Sequence, residues 1–179
     1  YMKKTLIIAF FAVIFSGCLD IGKDKVLKDE GNNFQISAPS SWSVMDDLND
    51  EADIQAGSNL SGKYLMVFVE AKEDFDNIKN IDAYADLIKK NMNSTVTNMT
   101  YEKHDELALD GMNAKSIILS GSVDGIKVRY FITFVESDKH FVQVIFYSLQ
   151  SKFDGLLEEF KKVRGTFKKA STAESKSSK

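Results

Sequence analysis

The spacing of apolar positions changes several times along the chain, and each change marks an element. Residues 6–15 form an unbroken apolar run between Lys3-Lys4 and the small pair Ser16-Gly17. That succession of basic, apolar and small residues is the layout of an export signal over residues 1–17. It is too short for the roughly 20 apolar residues that cross a bilayer. Residues 18–32 mix Asp, Glu and Lys without a sustained apolar period and read as a tether. At Phe34 a period of two sets in: Phe34, Ile36 and Ala38 alternate with polar neighbours up to Pro39, and Trp42 and Val44 begin a second strand. Residues 64–69 are apolar on both faces, which predicts a central strand covered from two sides. Behind a capping Asn80, the residues Ile81, Tyr84, Ala85, Ile88 and Met92 recur at helical spacing. Residues 91–100 are polar, and the helix should fray there.

From residue 101 the period returns to two. Strands are expected over 101–109, 112–123, 126–136 and 140–148, joined by Asp110-Gly111, Asp124-Gly125 and Ser137-Asp138-Lys139. The two Asp-Gly pairs favour two-residue hairpins, so the stretch reads as an antiparallel meander. Both faces of its last two strands are apolar and need cover. A final amphipathic helix supplies it, with Phe153, Leu156, Leu157, Phe160, Val163 and Phe167 in one stripe and Ser151 and Asp154 in a capping signature. Residues 169–179 hold no large apolar side chain and are expected to be disordered. Strands, helix, meander and helix make an α+β domain over 33–168.

Charge and cysteine content narrow the setting. The chain carries 23 Lys and Arg against 26 Asp and Glu, a formal charge of −3, and loss of Lys3 and Lys4 with the signal makes it −5. A mildly acidic body repels phosphate backbones, which argues against nucleic acid as a partner. Cys18 is the sole cysteine and cannot form an internal disulfide. The stretch Phe15-Ser16-Gly17-Cys18 resembles the prokaryotic lipobox, with Phe15 where Leu is usual. The resemblance implies cleavage between Gly17 and Cys18, a diacylglyceryl group on the Cys18 sulfur, further acylation such as palmitate, and a lipoprotein held on the extracytoplasmic face of the cell membrane. Two acyl chains anchor stably where one does not.

Candidate chemistry is sparse. Residues 57–64 have the glycine and lysine spacing of a phosphate-binding loop, but Tyr64 stands where a Ser or Thr must reach magnesium and a strand follows instead of a helix. The acidic residues 46–53 lack the glycine that a calcium loop needs. Strand alternation would set Glu102, His104 and Glu106 on one face as a possible divalent-metal trio. His140 stands alone. No nucleophile elbow is present, and no cofactor or enzymatic activity is expected.

The pattern F-x-I-x-x-P-x-x-W, carried by Phe34, Ile36, Pro39 and Trp42, together with the element order through Phe167, resembles the PsbP-like fold. That fold is named for an extrinsic photosystem II subunit and is also found in a Ran-binding transport factor and in bacterial lipoproteins. The resemblance implies an α-β-α sandwich around a mainly antiparallel central sheet. It carries no functional residue across, because sites and not folds carry function. The expected function is a non-enzymatic binding or adaptor domain that docks a protein or membrane complex. The alternative is a small-molecule or lipid carrier with a pocket near Trp42, Tyr64 or Tyr130.

Overall fold

A computed structural model describes residues 22–171. Gly17 and Cys18, the cleavage and lipidation positions, lie outside the described residues. In chain order the strands are β1 (Lys25–Lys28), β2 (Phe34–Ala38), β3 (Ser43–Val44), β4 (Ile54–Ser58) and β5 (Lys63–Ala71), followed by helix α1 (Ile81–Met92). Then come β6 (Thr97–Leu109), β7 (Met112–Val123), β8 (Ile126–Glu136), β9 (His140–Leu149), helix α2 (Gln150–Arg164) and β10 (Lys168–Lys169). Seven strands form one antiparallel sheet in the order β3-β4-β5-β9-β8-β7-β6, and β1-β2-β10 form a small one.

The meander turns follow from backbone freedom. Asp110 and Gly111 have φ of 50° and 76°, and Asp124 and Gly125 have 50° and 80°. Both central positions of such a hairpin turn need positive φ, which Asp tolerates and Gly adopts without strain. These two-residue turns place β6, β7 and β8 side by side in the expected order.

Register sorts the side chains into two layers. Leu65, Phe146, Phe131 and Ile118 sit side by side across β5, β9, β8 and β7 and face α2. One position along, Met66, Ile145, Ile132 and Ile117 face α1. The α2 layer is aromatic: Phe160 stacks on Phe146 at 5.1 Å and meets Trp42 edge-on at 6.4 Å. Full burial of a side chain such as Phe153 or Phe160 contributes about 1.5–3 kcal/mol, so α2 is integral to the core. The small sheet packs on the same side, where Phe34 stacks on Phe167 at 5.4 Å. On the opposite face Tyr84 of α1 stacks on Phe141 at 4.6 Å. The result is the α-β-α sandwich of an α+β protein.

Five local expectations need correction, one of them at the C-terminal end, where Lys169, expected in a disordered tail, pairs with Phe34 in β10 and the Ala170 N–H donates to the Asn33 carbonyl at 2.8 Å. The stretch 18–32 is not all tether, because β1 lies within it and Leu27 packs against the core opposite Ile36. A four-residue strand with one inward apolar side chain is too short to show a period. Second, β6 starts at Thr97 and not at 101, through an irregular pairing between Thr97 and Thr100 with Asn98 at φ 51°. Third, β9 runs to Leu149 and passes directly into α2, so neither Ser151 nor Asp154 caps the helix. Asp154 instead accepts a hydrogen bond from Arg129 at 2.6 Å. Fourth, β5 is covered fully on one side only: Leu65 and Val67 are buried, whereas Tyr64, Met66 and Phe68 are partly exposed. The reason is the placement of α1, which packs over β7 and β8.

Candidate functional site

On the face that α1 leaves partly open, three tyrosines line up across the sheet. Tyr64 of β5 pairs with Tyr147 of β9, and Tyr147 pairs with Tyr130 of β8. Direct cross-strand neighbours stand close enough for rings to touch. Tyr64 and Tyr147 stack at 5.0 Å, and Tyr130 lies 5.6 Å from Tyr147. The same register continues through Leu119 of β7 to Tyr101 of β6, which is 54 % exposed. Burial, with smaller contributions from Tyr130, Tyr64 and Asp47, pushes the Tyr147 hydroxyl up to about 12. Burial also raises Tyr130. Tyr147 and Tyr130 are therefore held in the neutral form, as hydrogen-bonding groups. Nearer the other end of β5, Gln143 donates to Glu70 at 3.0 Å and to the Tyr84 hydroxyl at 3.1 Å, while Tyr84 donates to Glu70. This buried polar group is satisfied within the fold and fixes α1 on the sheet.

Of the residues singled out as partner or ligand positions, Tyr64 and Tyr130 meet in this row, with Tyr147 between them. The spacing of Tyr147 within β9 gave it no distinction, because only strand pairing joins the three. Trp42 is elsewhere. It is 1 % exposed on the α2 side, and its Nε1 donates to Glu159 at 2.9 Å. Lys63 reaches the same carboxylate at 2.7 Å, so Trp42 is a core side chain with its one polar atom paired.

Glu102, His104 and Glu106 do not share a face. A β-bulge between Lys103 and Asp105 inserts His104 as an extra residue, so alternation inverts there. Before it, Glu102 pairs with Ile118 of the α2 layer; after it, Glu106 pairs with Lys115 of the α1 layer. His104 meets Phe131 edge-on at 5.4 Å. Among the described residues no group of three or more His, Cys, Asp and Glu side chains converges as a metal site. His140 packs edge-on against Phe34 at 5.6 Å. Residues 59–62 form the tight connection of the β4–β5 hairpin, closed by Gly62 N–H donating to Ser58 at 2.7 Å. The acidic loop is organised from within, since Gln55 accepts from the backbone of Leu48 at 2.8 Å and of Asn49 at 3.1 Å.

The same bulge turns Asp105 toward α2. There Arg164, 7 % exposed, donates through Nη1 to both Asp105 oxygens at 2.9 Å and to Ser116 at 3.0 Å. Its guanidinium lies 5.0 Å from the Phe131 ring centre. Sequence reasoning passed over this pair, because 59 residues separate the partners and the bulge that joins them has no sequence signal.

A second concavity lies between α1 and the edge strand β6. Its volume is 420 Å³, with Asp82, Ala85, Asp86 and Lys89 on the helix side and residues 101, 103–106, 115–117 and 134 on the sheet side. Lys115 donates to Asp82 at 2.7 Å; that hydrogen bond holds the Asp82 carboxyl below its usual range and raises Lys115.

Neither a scan against protein-family models nor a search of curated proteins finds a match. Solved structures do match. The chain is similar to cyanobacterial PsbP (CyanoP) from Synechocystis sp. PCC 6803, with a TM-score of 0.61, 13 % identity, and coverage of 86 % of this chain and 96 % of that one. It is also similar to LpqN of Mycobacterium tuberculosis, described as involved in cell envelope biogenesis, with a TM-score of 0.54, 9 % identity, and coverage of 83 % and 91 %. A structure from Bacteroides thetaiotaomicron matches with a TM-score of 0.53, 12 % identity, and coverage of 86 % of this chain and 50 % of that one. The fold is PsbP-like.

Proposed function

We propose that the chain is a non-enzymatic binding domain, tethered to the extracytoplasmic face of a cell membrane through a diacylglyceryl group on Cys18, that docks a protein partner on the tyrosine row. The observation that carries the docking is the contact of Tyr64, Tyr147 and Tyr130 on a sheet face only partly covered by α1. Tyrosine offers large apolar area with few rotatable bonds and a polar tip, and it is enriched in the centres of protein interfaces. Asp47 beside the row adds an acidic margin. Tethering rests on the sequence: a signal layout ending in one cysteine that has no internal partner. The likeness to an envelope protein is in keeping with that location.

The test is cross-linking on intact cells followed by mass spectrometry, comparing the native chain, Tyr147→Ala and Cys18→Ala. Support is a discrete partner joined to the native chain near the row, lost in Tyr147→Ala, with Cys18→Ala shifting the protein out of the membrane fraction. An unchanged cross-link pattern in Tyr147→Ala overturns the docking site. Retention of Cys18→Ala in the membrane overturns the anchor.

A further inference from the structure

We infer that the end of the domain formed by the β4–β5 tip, the β7–β8 turn and the start of α2 rests on the lipid bilayer, with Leu60, Ile126 and Leu149 in the headgroup layer. The inference rests on the Cys18 anchor proposed above. Three of the six large apolar side chains exposed among the described residues are gathered there. Leu60 is 96 % exposed at the tip, Ile126 is 56 % exposed just after Gly125, and Leu149 is 42 % exposed where β9 enters α2. Register puts them at one end of the sheet: Lys63 stands opposite Ser148, Leu149 opposite Val128, and Ile126 opposite Val123. Lys152 of α2 joins the helix to the tip by donating to the Ser61 carbonyl at 3.2 Å. A leucine left wholly in water forgoes the gain of burial, and a group of such side chains at one end of a domain marks an interaction surface. The tyrosine row lies one register position further in, on the α1 side, and is not part of this surface.

The route of the chain selects a bilayer as the occupant. Gly22 packs against Ser40, since a Cβ built on it would lie 3.0 Å from the Ser40 Cβ. Ser40 leads through Trp42 into β3, whose Ser43 pairs with Gly57 beside the same β4–β5 tip. The chain therefore enters the domain at the end that carries Leu60. Cys18 is four residues before Gly22, so at 3.3–3.6 Å per residue the two are at most about 14 Å apart. The headgroup layer takes up roughly 5–8 Å of that, half the difference between the whole bilayer and its hydrocarbon core. With Cys18 lipidated, Gly22 is thus held within about 10 Å of the headgroups. Lys127 and Lys152, both exposed, flank the three apolar side chains, with Asp124 as the exposed acid in the turn. α2 begins there with no side chain capping its N-terminus and no acid in its first turn. Lysine stems lie along apolar surface while their ammonium groups reach phosphate, and helix N–H groups also accept phosphate as a partner.

The experiment uses the full-length chain with its native lipid, purified from membranes and reconstituted into vesicles of equal parts phosphatidylcholine and phosphatidylglycerol, with and without a lipid that carries a nitroxide just below its headgroup. A solvent-sensitive fluorophore is attached at Asn59→Cys, next to Leu60, or at Asp138→Cys, in the exposed connection at the opposite end of the sheet. Lipidation blocks the Cys18 thiol. Expected are a blue shift and nitroxide quenching at position 59 and neither at position 138. Leu60→Ser combined with Ile126→Ser should abolish both signals at position 59 while the protein still floats with the vesicles. All the replaced side chains are exposed, so the fold persists. Quenching at position 138 alone, quenching at neither position, or quenching at position 59 that survives the double substitution each overturns the inference. A blue shift at position 59 without quenching assigns this end to a protein contact and overturns it as well. A chain that does not float with the vesicles refutes the Cys18 anchor, and the inference falls with it; a chain that floats with position 59 in water refutes the inference alone.

Discussion

Replacement of Asp105 should cost more stability than replacement of Arg164, although they form one ion pair. Asp105→Ala leaves a guanidinium whose side chain is 8 % exposed with Ser116 as its remaining acceptor. Removing one partner of a fully buried pair costs about 3–5 kcal/mol, because the other charge stays desolvated. The Asp105 side chain is 34 % exposed, so water enters where it stood and the expected cost falls to about 2–3 kcal/mol. Arg164→Met keeps a long apolar side chain over Phe131 and strands only a carboxylate that solvent already reaches; about 0–1 kcal/mol is expected. The double variant should match Arg164→Met alone, since no buried charge remains. Urea unfolding followed by circular dichroism measures all three, with constant slope as the sign of an unchanged unfolded state. At about 2–4 °C per kcal/mol, Asp105→Ala should melt roughly 4–12 °C lower. If Arg164→Met is as damaging as Asp105→Ala, the ion pair stabilises on balance and the desolvation reasoning fails.

The same carboxyl sets a limit in acid. Burial acts to raise Asp105, but Ser116 and Arg164 outweigh it and hold the group below its ordinary value. Its contribution is present above the unfolded value of 3.8 and is lost as pH falls below it, so Arg164→Met should flatten the acid limb of a stability profile. In alkali the sign reverses: with Tyr147 raised to about 12, the folded state holds its proton above pH 10, and stability should decline between pH 10 and 12. Absorbance at 295 nm should show at least one late phenol, and an early titration of all six tyrosines would contradict the row's burial. Phe160→Ala should cost about 3–5 kcal/mol, whereas Tyr64→Ala, partly exposed, should stay below about 1.5 kcal/mol; near-equal denaturation midpoints would mean that the row belongs to the core. Gly121→Ala would bring a methyl 2.3 Å from Val96 Cγ1 and 2.9 Å from the Thr97 carbonyl, so a loss of about 1–3 kcal/mol is expected from the same unfolding curves; an unchanged midpoint would show that residues 96–97 yield freely.

Regular elements were legible because their signals are local. The Asp-Gly turns set two hairpins, the spacing of Ile81, Tyr84 and Ile88 set α1, and Phe153, Phe160 and Val163 set α2, whose stripe was expected to run on to Phe167 although the helix ends at Arg164. The resemblance on Phe34, Pro39 and Trp42 led to the layering that the fold shows. What failed depended on one inserted residue. His104 interrupts an alternation that otherwise looks continuous, and that single insertion separates Glu102 from Glu106 and delivers Asp105 to Arg164. Sequence periodicity counts positions and cannot count a residue that the partner strand skips. The tyrosine row was half visible for a related reason: Tyr64 and Tyr130 attracted notice singly, but contact through Tyr147 exists only once β5 and β8 flank β9.

The short strand β1 gives the molecule a compliant leader. It enters the small sheet at the open end of its hairpin, where Lys25 faces Ala38, and returns through the turn held by Asp29. A pull toward the N-terminus therefore loads one residue pair at a time, in the weakest of geometries. β2 would stay in place, gripped by β10 and by its buried Phe34, Ile36 and Ala38. Unzipping residues 22–33 would release on the order of 40 Å of chain at 3.3–3.6 Å per residue. The large sheet would not be disturbed, so reach under load is adjustable without unfolding the domain.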